Sequence, residues 1–273
     1  MRLRKVAFHS IVSTLMLLQK STAAAQIKIL AVGDSMVEFM GQSLESFCAD
    51  AKVYNAGIGG TTATQWASYS KDDISGCGMD WDVVYISVGG NDLLESGCTI
   101  ESSELKNRIE KAVSNVVQNL APQASTYVLT GYCTPYAPEE DLEQSGCSNP
   151  SGYVAMSDAI RNLSTDAIGL PSNASLEVID SSSVCGGSAT SFSNEAYFQD
   201  PIHLNAKGYC KVFSQPSVQS ALKCSRENGF DCDSLDNAQI FGLESNCITS
   251  FGSKLMVVRT IFILNAVLIM VVF

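Results

Sequence analysis

The chain has 273 residues, of which 46% are hydrophobic and 16% are charged, and its formal net charge is −11. This much apolar sequence predicts one sizeable hydrophobic core and one main domain rather than two large domains. The acidic balance argues against nucleic acid and strongly anionic bilayers as main partners, because an acidic surface repels polyanions; a neutral substrate fits better.

The first 25 residues have the three parts of a secretory signal peptide. Residues 1–5 are basic, residues 6–18 are apolar, and the three alanines at 23–25 precede Gln26. Removal of residues 1–25 would leave 13 basic against 28 acidic residues, a formal charge of −15. The alternative is an uncleaved membrane helix, which the short apolar stretch disfavours. We therefore expect a secreted protein.

All ten cysteines follow the predicted signal peptide, and an even number in an oxidising compartment predicts disulfide bonds. The sequence does not give their pairing. Two Asn-x-Ser sequences, at Asn162 and Asn173, are compatible with N-glycosylation in the same compartment. No metal site is predicted, because repeated Cys-x-x-Cys spacing is absent and His203 is the one histidine of the mature chain.

Strand and helix patterns alternate between residues 27 and 223. Runs of β-branched and aliphatic residues predict five strands, at 27–32, 53–55, 83–88, 127–130 and 176–179. Helices are predicted over 36–47 and 105–120, and the apolar residues of the second share one face. This alternation predicts a mostly parallel sheet covered by helices on both faces, with ligands at the carboxyl ends of the strands. The loop at 131–150, rich in proline and containing two cysteines, is expected to form a disulfide-tied rim of the site.

A serine follows the first predicted strand directly. Gly33-Asp34-Ser35 stands at the carboxyl end of this strand, where a helix is predicted to begin. The N-terminus of a helix offers unpaired amides and a positive dipole end, which stabilise an oxygen that becomes negative during acyl transfer. The pattern therefore favours Ser35 as a nucleophile. The alternative is that Asp34 and Ser35 only cap the helix.

Glycine-rich turns follow two further strands. Gly60 lies in the turn after the second strand, where a glycine can bring a bare backbone N–H close to a reacting oxygen. Asn91, in Gly89-Gly90-Asn91-Asp92 after the third strand, can offer its side-chain amide as another donor. Taken singly, each segment is also ordinary turn chemistry.

His203 is the only candidate for a histidine base, since His9 belongs to the predicted signal peptide. Asp200 stands three residues before His203, and Pro201 stiffens the turn between them. A carboxylate at this spacing can accept the Nδ1 hydrogen and leave Nε2 free to take a proton. The alternative is a surface or capping histidine beside an incidental aspartate.

The C-terminal part of the chain loses helical and strand periodicity. Residues 225–254 predict a cysteine-containing stalk rather than a second domain. Residues 255–273 are almost entirely apolar and no basic cluster follows them, which favours a GPI-attachment signal over a retained membrane helix. The expected location is extracellular or at the cell surface, with the membrane contacted only through this anchor.

The four blocks around Ser35, Gly60, Asn91 and His203, in this order, resemble the SGNH hydrolase superfamily, also called GDSL esterases and lipases. The resemblance covers residues 27 to about 223, and the first block differs only in reading Gly-Asp-Ser-Met rather than Gly-Asp-Ser-Leu. It implies a three-layer α/β/α sandwich with a mostly parallel, flavodoxin-like sheet, which we assign to residues 26–224.

The resemblance also implies a mechanism that needs no cofactor. Ser35 would be the nucleophile, His203 the general base, and Asp200 the group that orients the imidazole. The oxyanion would be held by the backbone amides of Ser35 and Gly60 and by the side chain of Asn91.

The substrate stays open at this stage, because the superfamily includes carbohydrate O-acetyl esterases, lipases, lysophospholipases and thioesterases on one scaffold. An acidic, disulfide-rich, tethered protein favours short-chain acetyl esters of neutral carbohydrates. The alternatives are a lipid ester hydrolase and a non-catalytic surface binding module with the same fold. A glycosidase using Asp34 and Asp92 as a carboxylate pair is a further option, although both are more readily interpreted as turn and helix caps.

Overall fold

The computed structural model describes residues 26–40, 43–48, 50–78, 80–136, 151–188, 191–224 and 232. The predicted signal peptide (1–25) and anchor (255–273), and all of the predicted stalk (225–254) except residue 232, lie outside the described residues. None of the helices within these ranges combines the length and the apolar character that a membrane crossing requires.

Five parallel strands form one sheet with the order β2-β1-β3-β4-β5. Their bounds are β1 Ile27–Gly33, β2 Ala51–Gly57, β3 Val83–Ser87, β4 Thr126–Thr130 and β5 Ser175–Ile179. Each strand lies at a predicted position, and all residues of β3 and β4 are buried, as expected of central strands covered on both faces. The largest difference is at β2, which extends two residues beyond each end of the predicted 53–55. Lys52 is exposed and interrupts the apolar run, so the sequence pattern did not show the start of this strand.

Helices flank this sheet and complete the predicted α/β/α sandwich, so the expected fold class is confirmed. The α-helices are α1 (Ser35–Met40), α2 (Ser43–Phe47), α3 (Ala63–Trp66), α4 (Gly90–Glu95), α5 (Ser102–Asn115), α6 (Ser151–Arg161), α7 (Thr165–Ile168), α8 (Ala206–Phe213) and α9 (Pro216–Leu222). Helices α3, α6 and α7 pack against α5, whereas α8 packs against α2 and α9. Two 3₁₀ segments lie at Lys71–Cys77 and Glu195–Tyr197.

The two helix predictions differ in their outcome. The amphipathic helix predicted over 105–120 is confirmed, since α5 begins at Ser102 and a π-helical turn extends it over Val116–Leu120. Within the helix predicted over 36–47, the structure describes two helical segments, α1 and α2, and residues 41–42 lie outside the described residues.

Three disulfide bonds lie within the described residues and support the expectation of paired cysteines. Cys48–Cys224 joins the end of α2 to the residue after Lys223, which caps α9, across a sequence separation of 176. Cys133–Cys185 joins the loop after β4 to the loop after β5. This bond ties the first part of the predicted rim at 131–150, whereas residues 137–150 lie outside the described residues. Cys210–Cys232 connects α8 to the start of the predicted stalk.

The two predicted glycosylation sites lie on exposed parts of the domain. Asn162 follows α6, and its side-chain Nδ2 donates a hydrogen bond to the backbone oxygen of Asp158 at 2.8 Å. Asn173 lies in the turn before β5. Glycosylation at either position stays a prediction.

We expect the Cys48–Cys224 bond to stabilise the domain more than the Cys210–Cys232 bond does. A cross-link restricts the unfolded chain more when it closes a longer loop, and the two sequence separations are 176 and 22. Replacing Cys48 and Cys224 by serine should lower the free energy of unfolding by about 4–5 kcal/mol, against about 3 kcal/mol for the Cys210 and Cys232 pair. Urea unfolding of both double variants measures the difference, and equal losses would contradict this order.

Candidate active site

Three residues predicted from sequence meet at the carboxyl edge of the sheet. Ser35 is the first residue of α1, two residues beyond the end of β1, and Asp200 and His203 lie in the loop before α8. His203 Nε2 lies 2.9 Å from Ser35 Oγ, although 168 positions separate the two residues in sequence. His203 Nδ1 lies 2.7 Å from Asp200 Oδ2. The structure therefore aligns a hydroxyl, an imidazole and a carboxyl in one hydrogen-bonded row.

The Asp200 carboxyl holds the turn that presents His203. Its Oδ1 accepts hydrogen bonds from the backbone amides of Ile202 at 2.9 Å and of His203 at 2.8 Å. Partial burial acts to raise the pKa of Asp200, but the hydrogen bonds from the ring and backbone of His203 outweigh it, and the pKa is lowered. An ionised carboxylate at Oδ2 assigns the hydrogen of the neutral imidazole to Nδ1 and leaves Nε2 as an acceptor facing Ser35.

An aromatic ring fixes the imidazole from the side. Phe39 of α1 packs edge-on against His203, with ring centroids 4.7 Å apart and an interplanar angle of 81°. The side chain of His203 nevertheless keeps 21% of its surface exposed, so solvent reaches the imidazole. Sequence reasoning did not identify Phe39, since a half-buried aromatic residue on a helix carries no functional pattern of its own.

The turn that carries Ser35 depends on a close approach between β1 and β3. The Asp34 amide donates to the Ser87 carbonyl at 3.2 Å, and a Cβ on Gly33 would lie 2.0 Å from that oxygen. Only glycine tolerates this approach. Asp34 Oδ1 then accepts the Met36 amide at 3.0 Å, which is the helix-capping role expected of Asp34.

The second oxygen of Asp34 accepts a hydrogen bond from the hydroxyl of Tyr132, which follows β4. Asp34 is 1% exposed, and this burial raises its pKa to about 6, although the hydrogen bonds from Tyr132 and Met36 act in the opposite direction. Sequence reasoning missed Tyr132. The available signal was a polar aromatic residue just beyond the carboxyl end of a central strand, where ligands bind in such sheets.

The proposed oxyanion donors lie in adjoining turns. Among the described residues, the Ser35 and Gly60 amides donate no hydrogen bond. The turn containing Gly60, whose φ is +77°, is held beside the nucleophile turn by a 2.9 Å hydrogen bond from the Ile58 amide to the Gly33 carbonyl. Asn91 lines the same pocket as Ser35, and its Nδ2 donates one hydrogen to the Thr61 carbonyl at 2.9 Å. The Asn91 amide group carries a second hydrogen, which this bond does not use.

Two buried side chains hold α1 through hydrogen bonds to its backbone. Asn55, in β2, donates from Nδ2 to the Val37 carbonyl at 2.8 Å and accepts the Gly57 amide at Oδ1 at 2.8 Å. Tyr209 donates its hydroxyl hydrogen to the Met36 carbonyl at 2.7 Å. These contacts satisfy backbone groups on both sides of the helix, so the first turn of α1 is fixed to both the sheet and α8.

Asp92 is fully buried and has a structural role. Its Oδ2 accepts the Ala63 amide at 2.6 Å, which caps α3, and its Oδ1 lies 3.4 Å from a guanidinium nitrogen of Arg108. The capping expected of Asp92 is therefore confirmed. Because Asp34 and Asp92 are both buried and occupied by structural hydrogen bonds, the geometry offers no support for the glycosidase alternative.

A small pocket, partly open to solvent, lies beside Ser35. Its polar lining includes Asp34, Gly90 and Asn91. Apolar and aromatic groups form much of the rest, from Met36, Leu94, Tyr132, Pro135, Tyr153 and Ile202. The Cys133–Cys185 bond fixes the loop that supplies Pro135. The arrangement suits a compact apolar group placed next to the hydroxyl of Ser35.

The sequence profile of the GDSL-like lipase/acylhydrolase family matches residues 31–210. A search of curated protein sequences found no match.

Solved structures with a similar fold include two proteins that are provisionally named. One, from Streptococcus pneumonia, is described as a platelet activating factor and has 16% identity and a TM-score of 0.55, over 79% of this chain and 99% of that one. The other, an acylhydrolase from Bacteroides fragilis, has 18% identity and a TM-score of 0.53, over 72% of this chain and 86% of that one. A third structure, a GDSL-like lipase from Bacteroides thetaiotaomicron, has 13% identity and a TM-score of 0.51, over 79% of this chain and 97% of that one. At these identities the likeness shows the fold alone.

Proposed function

The chain belongs to the GDSL-like lipase/acylhydrolase family and is a carboxylic ester hydrolase, and from this premise we propose that it cleaves short-chain acyl esters of neutral carbohydrates with Ser35 as its nucleophile. The observation that carries the assignment of Ser35 is the hydrogen-bonded row in which His203 lies 2.9 Å from Ser35 Oγ and 2.7 Å from Asp200. A capping serine would need no imidazole at its hydroxyl.

The first half of the reaction forms an acyl-enzyme. His203 Nε2 takes the hydroxyl proton while Ser35 Oγ attacks the carbonyl carbon of the ester, and the carbonyl oxygen becomes negative. The imidazolium then gives its proton to the departing alcohol oxygen as the bond between carbon and that oxygen breaks. Asp200, ionised at neutral pH because its pKa is lowered, stabilises the imidazolium in the interval.

The negative oxygen formed in this step needs hydrogen-bond donors that are already in place. The Ser35 and Gly60 amides and the second amide hydrogen of Asn91 are the proposed donors. Each donor is fixed by contacts that do not involve substrate. The bond from Asn55 to Val37 holds the helix that carries Ser35, the bond from Ile58 to Gly33 holds the turn that contains Gly60, and the bond to Thr61 holds Asn91. Loss of one such donor is expected to cost about 3–4 kcal/mol of transition-state stabilisation.

Water completes the cycle. His203 removes a proton from a water molecule as the water oxygen attacks the acyl carbon, and the bond to Ser35 Oγ breaks with return of the proton to Ser35. The partial exposure of His203 gives water access to Nε2 once the alcohol has left.

The size and chemistry of the pocket support the substrate class. Its apolar wall, which includes Leu94, Pro135 and Ile202, is compact and suits a short acyl group. The formal charge of the chain, −11, favours an uncharged alcohol component over a polyanion. An acetylated neutral oligosaccharide meets both conditions.

We expect Ser35→Ala to abolish hydrolysis of p-nitrophenyl acetate and labelling by a fluorophosphonate probe, because both reactions need the nucleophilic oxygen. Ser68→Ala is the matched control, since Ser68 is an exposed serine whose hydroxyl bonds only the nearby Gln65 carbonyl. The control should keep full activity and labelling. Unchanged hydrolysis in Ser35→Ala would refute the assignment, and an unlabelled, inactive wild type would select the non-catalytic binding module.

We expect kcat/KM to fall from p-nitrophenyl acetate and butyrate to decanoate, because a long chain would extend beyond the small pocket beside Ser35; each tenfold loss corresponds to about 1.4 kcal/mol. The enzyme should also release acetate from acetylated neutral oligosaccharides. Leu94→Ala shortens the apolar wall and should raise the ratio of decanoate to acetate activity. Rates that increase with chain length in the wild type would instead select a lipid ester hydrolase.

The protein is further proposed to act outside the cell, attached by a GPI anchor. The disulfide bonds among the described residues suit an oxidising compartment, and residues 255–273 have the composition of an attachment signal. Phosphatidylinositol-specific phospholipase is expected to release the protein from intact cells. Release by detergent alone would support a retained membrane helix.

A further inference from the structure

Tyr132 lies at a junction between two parts of the active site, although it belongs to none of the four sequence blocks. It is 7% exposed and lies two residues beyond the end of β4. Its hydroxyl donates to Asp34, the residue directly before Ser35. Its ring packs against Gly90, the residue directly before Asn91.

The packing around this hydroxyl is too tight for an incidental contact. A Cβ on Gly90 would lie 2.8 Å from the Tyr132 ring and 3.3 Å from Asp34 Oδ2. The ring therefore occupies the space that a side chain at position 90 would need. Three chain segments, those after β1, β3 and β4, therefore meet at the side chain of Tyr132.

We propose that Tyr132 is a positioning residue that fixes the turn carrying Ser35 relative to the turn carrying Asn91, and so sets the geometry of the oxyanion site. This inference rests on the proposed function, because the two turns matter together only if Ser35 and Asn91 act on one substrate carbonyl. Tyr132 acts through Asp34 and Gly90.

The ionisation of this pair follows from its surroundings. Burial and the nearby Asp34 raise the pKa of Tyr132 well above its usual range, so its hydroxyl remains a donor. Burial raises the pKa of Asp34 to about 6, and the bond from Tyr132 opposes that rise. Other titratable groups that interact electrostatically with Asp34 are His203, Asp92, Tyr85 and Tyr209. Removing the Tyr132 hydroxyl should therefore raise the pKa of Asp34 further.

The test compares Tyr132→Phe with Tyr127→Phe. Both substitutions remove one hydroxyl from a buried ring, but the Tyr127 hydroxyl bonds the Ala121 carbonyl at 2.7 Å, remote from the Ser35 pocket. Tyr132→Phe is expected to lower kcat on p-nitrophenyl acetate by roughly 10- to 100-fold, with KM changed less than about twofold, because misplacement of catalytic groups acts on the transition state. Tyr127→Phe should change only the midpoint of urea unfolding.

A second variant separates positioning from loss of stability. Asp34→Asn removes the charge of the group that accepts the Tyr132 hydrogen bond. We expect the Tyr132→Phe/Asp34→Asn double variant to be no slower than the slower single variant, since both substitutions act on the same interaction between Tyr132 and Asp34. Additive losses, or a kcat for Tyr132→Phe within twofold of wild type, would overturn the positioning role. Absence of hydrolysis and of Ser35 labelling in the wild type would instead overturn the proposed function itself.

Discussion

The active site depends on one steric constraint at the edge of the sheet, the close contact between Gly33 and the Ser87 carbonyl. Since a Cβ at position 33 would lie 2.0 Å from that oxygen, β1 can end against β3 only with a glycine at this position. The bond from the Asp34 amide to the same carbonyl then turns the chain. Asp34 is directed into the interior and Ser35 to the N-terminus of α1, within reach of His203.

Three aspartates near the site differ in their surroundings and therefore in their chemistry. Asp34 and Asp92 are buried and hold backbone amides, and burial raises the pKa of Asp34 to about 6. Asp200 remains partly exposed, and its hydrogen bonds with His203 lower its pKa. Because the folded-state pKa of Asp34 is raised, the cost of burying its charge is present at neutral pH and disappears as the pH falls below about 6. Asp200 contributes in the opposite sense, since its stabilisation is present at neutral pH and is lost in acid.

The strands, the fold class and the position of the site could be predicted because each depends on local sequence. Parallel strands end at one edge of a sheet, so Ser35 and Asn91, which follow two neighbouring strands, had to lie close together. The contacts of Tyr132 and Phe39 could not be predicted, because they join residues far apart in sequence through side-chain packing. The pairing of the cysteines likewise depends on the folded backbone rather than on any local pattern.

The Cys210–Cys232 bond also determines how the domain would transmit a mechanical load. A pulling force applied at Cys232 enters the domain at Cys210, within α8, through this bond. This helix begins three residues after His203, and its Tyr209 holds the Met36 carbonyl of α1. The force therefore arrives at the element that joins the histidine loop to the serine helix.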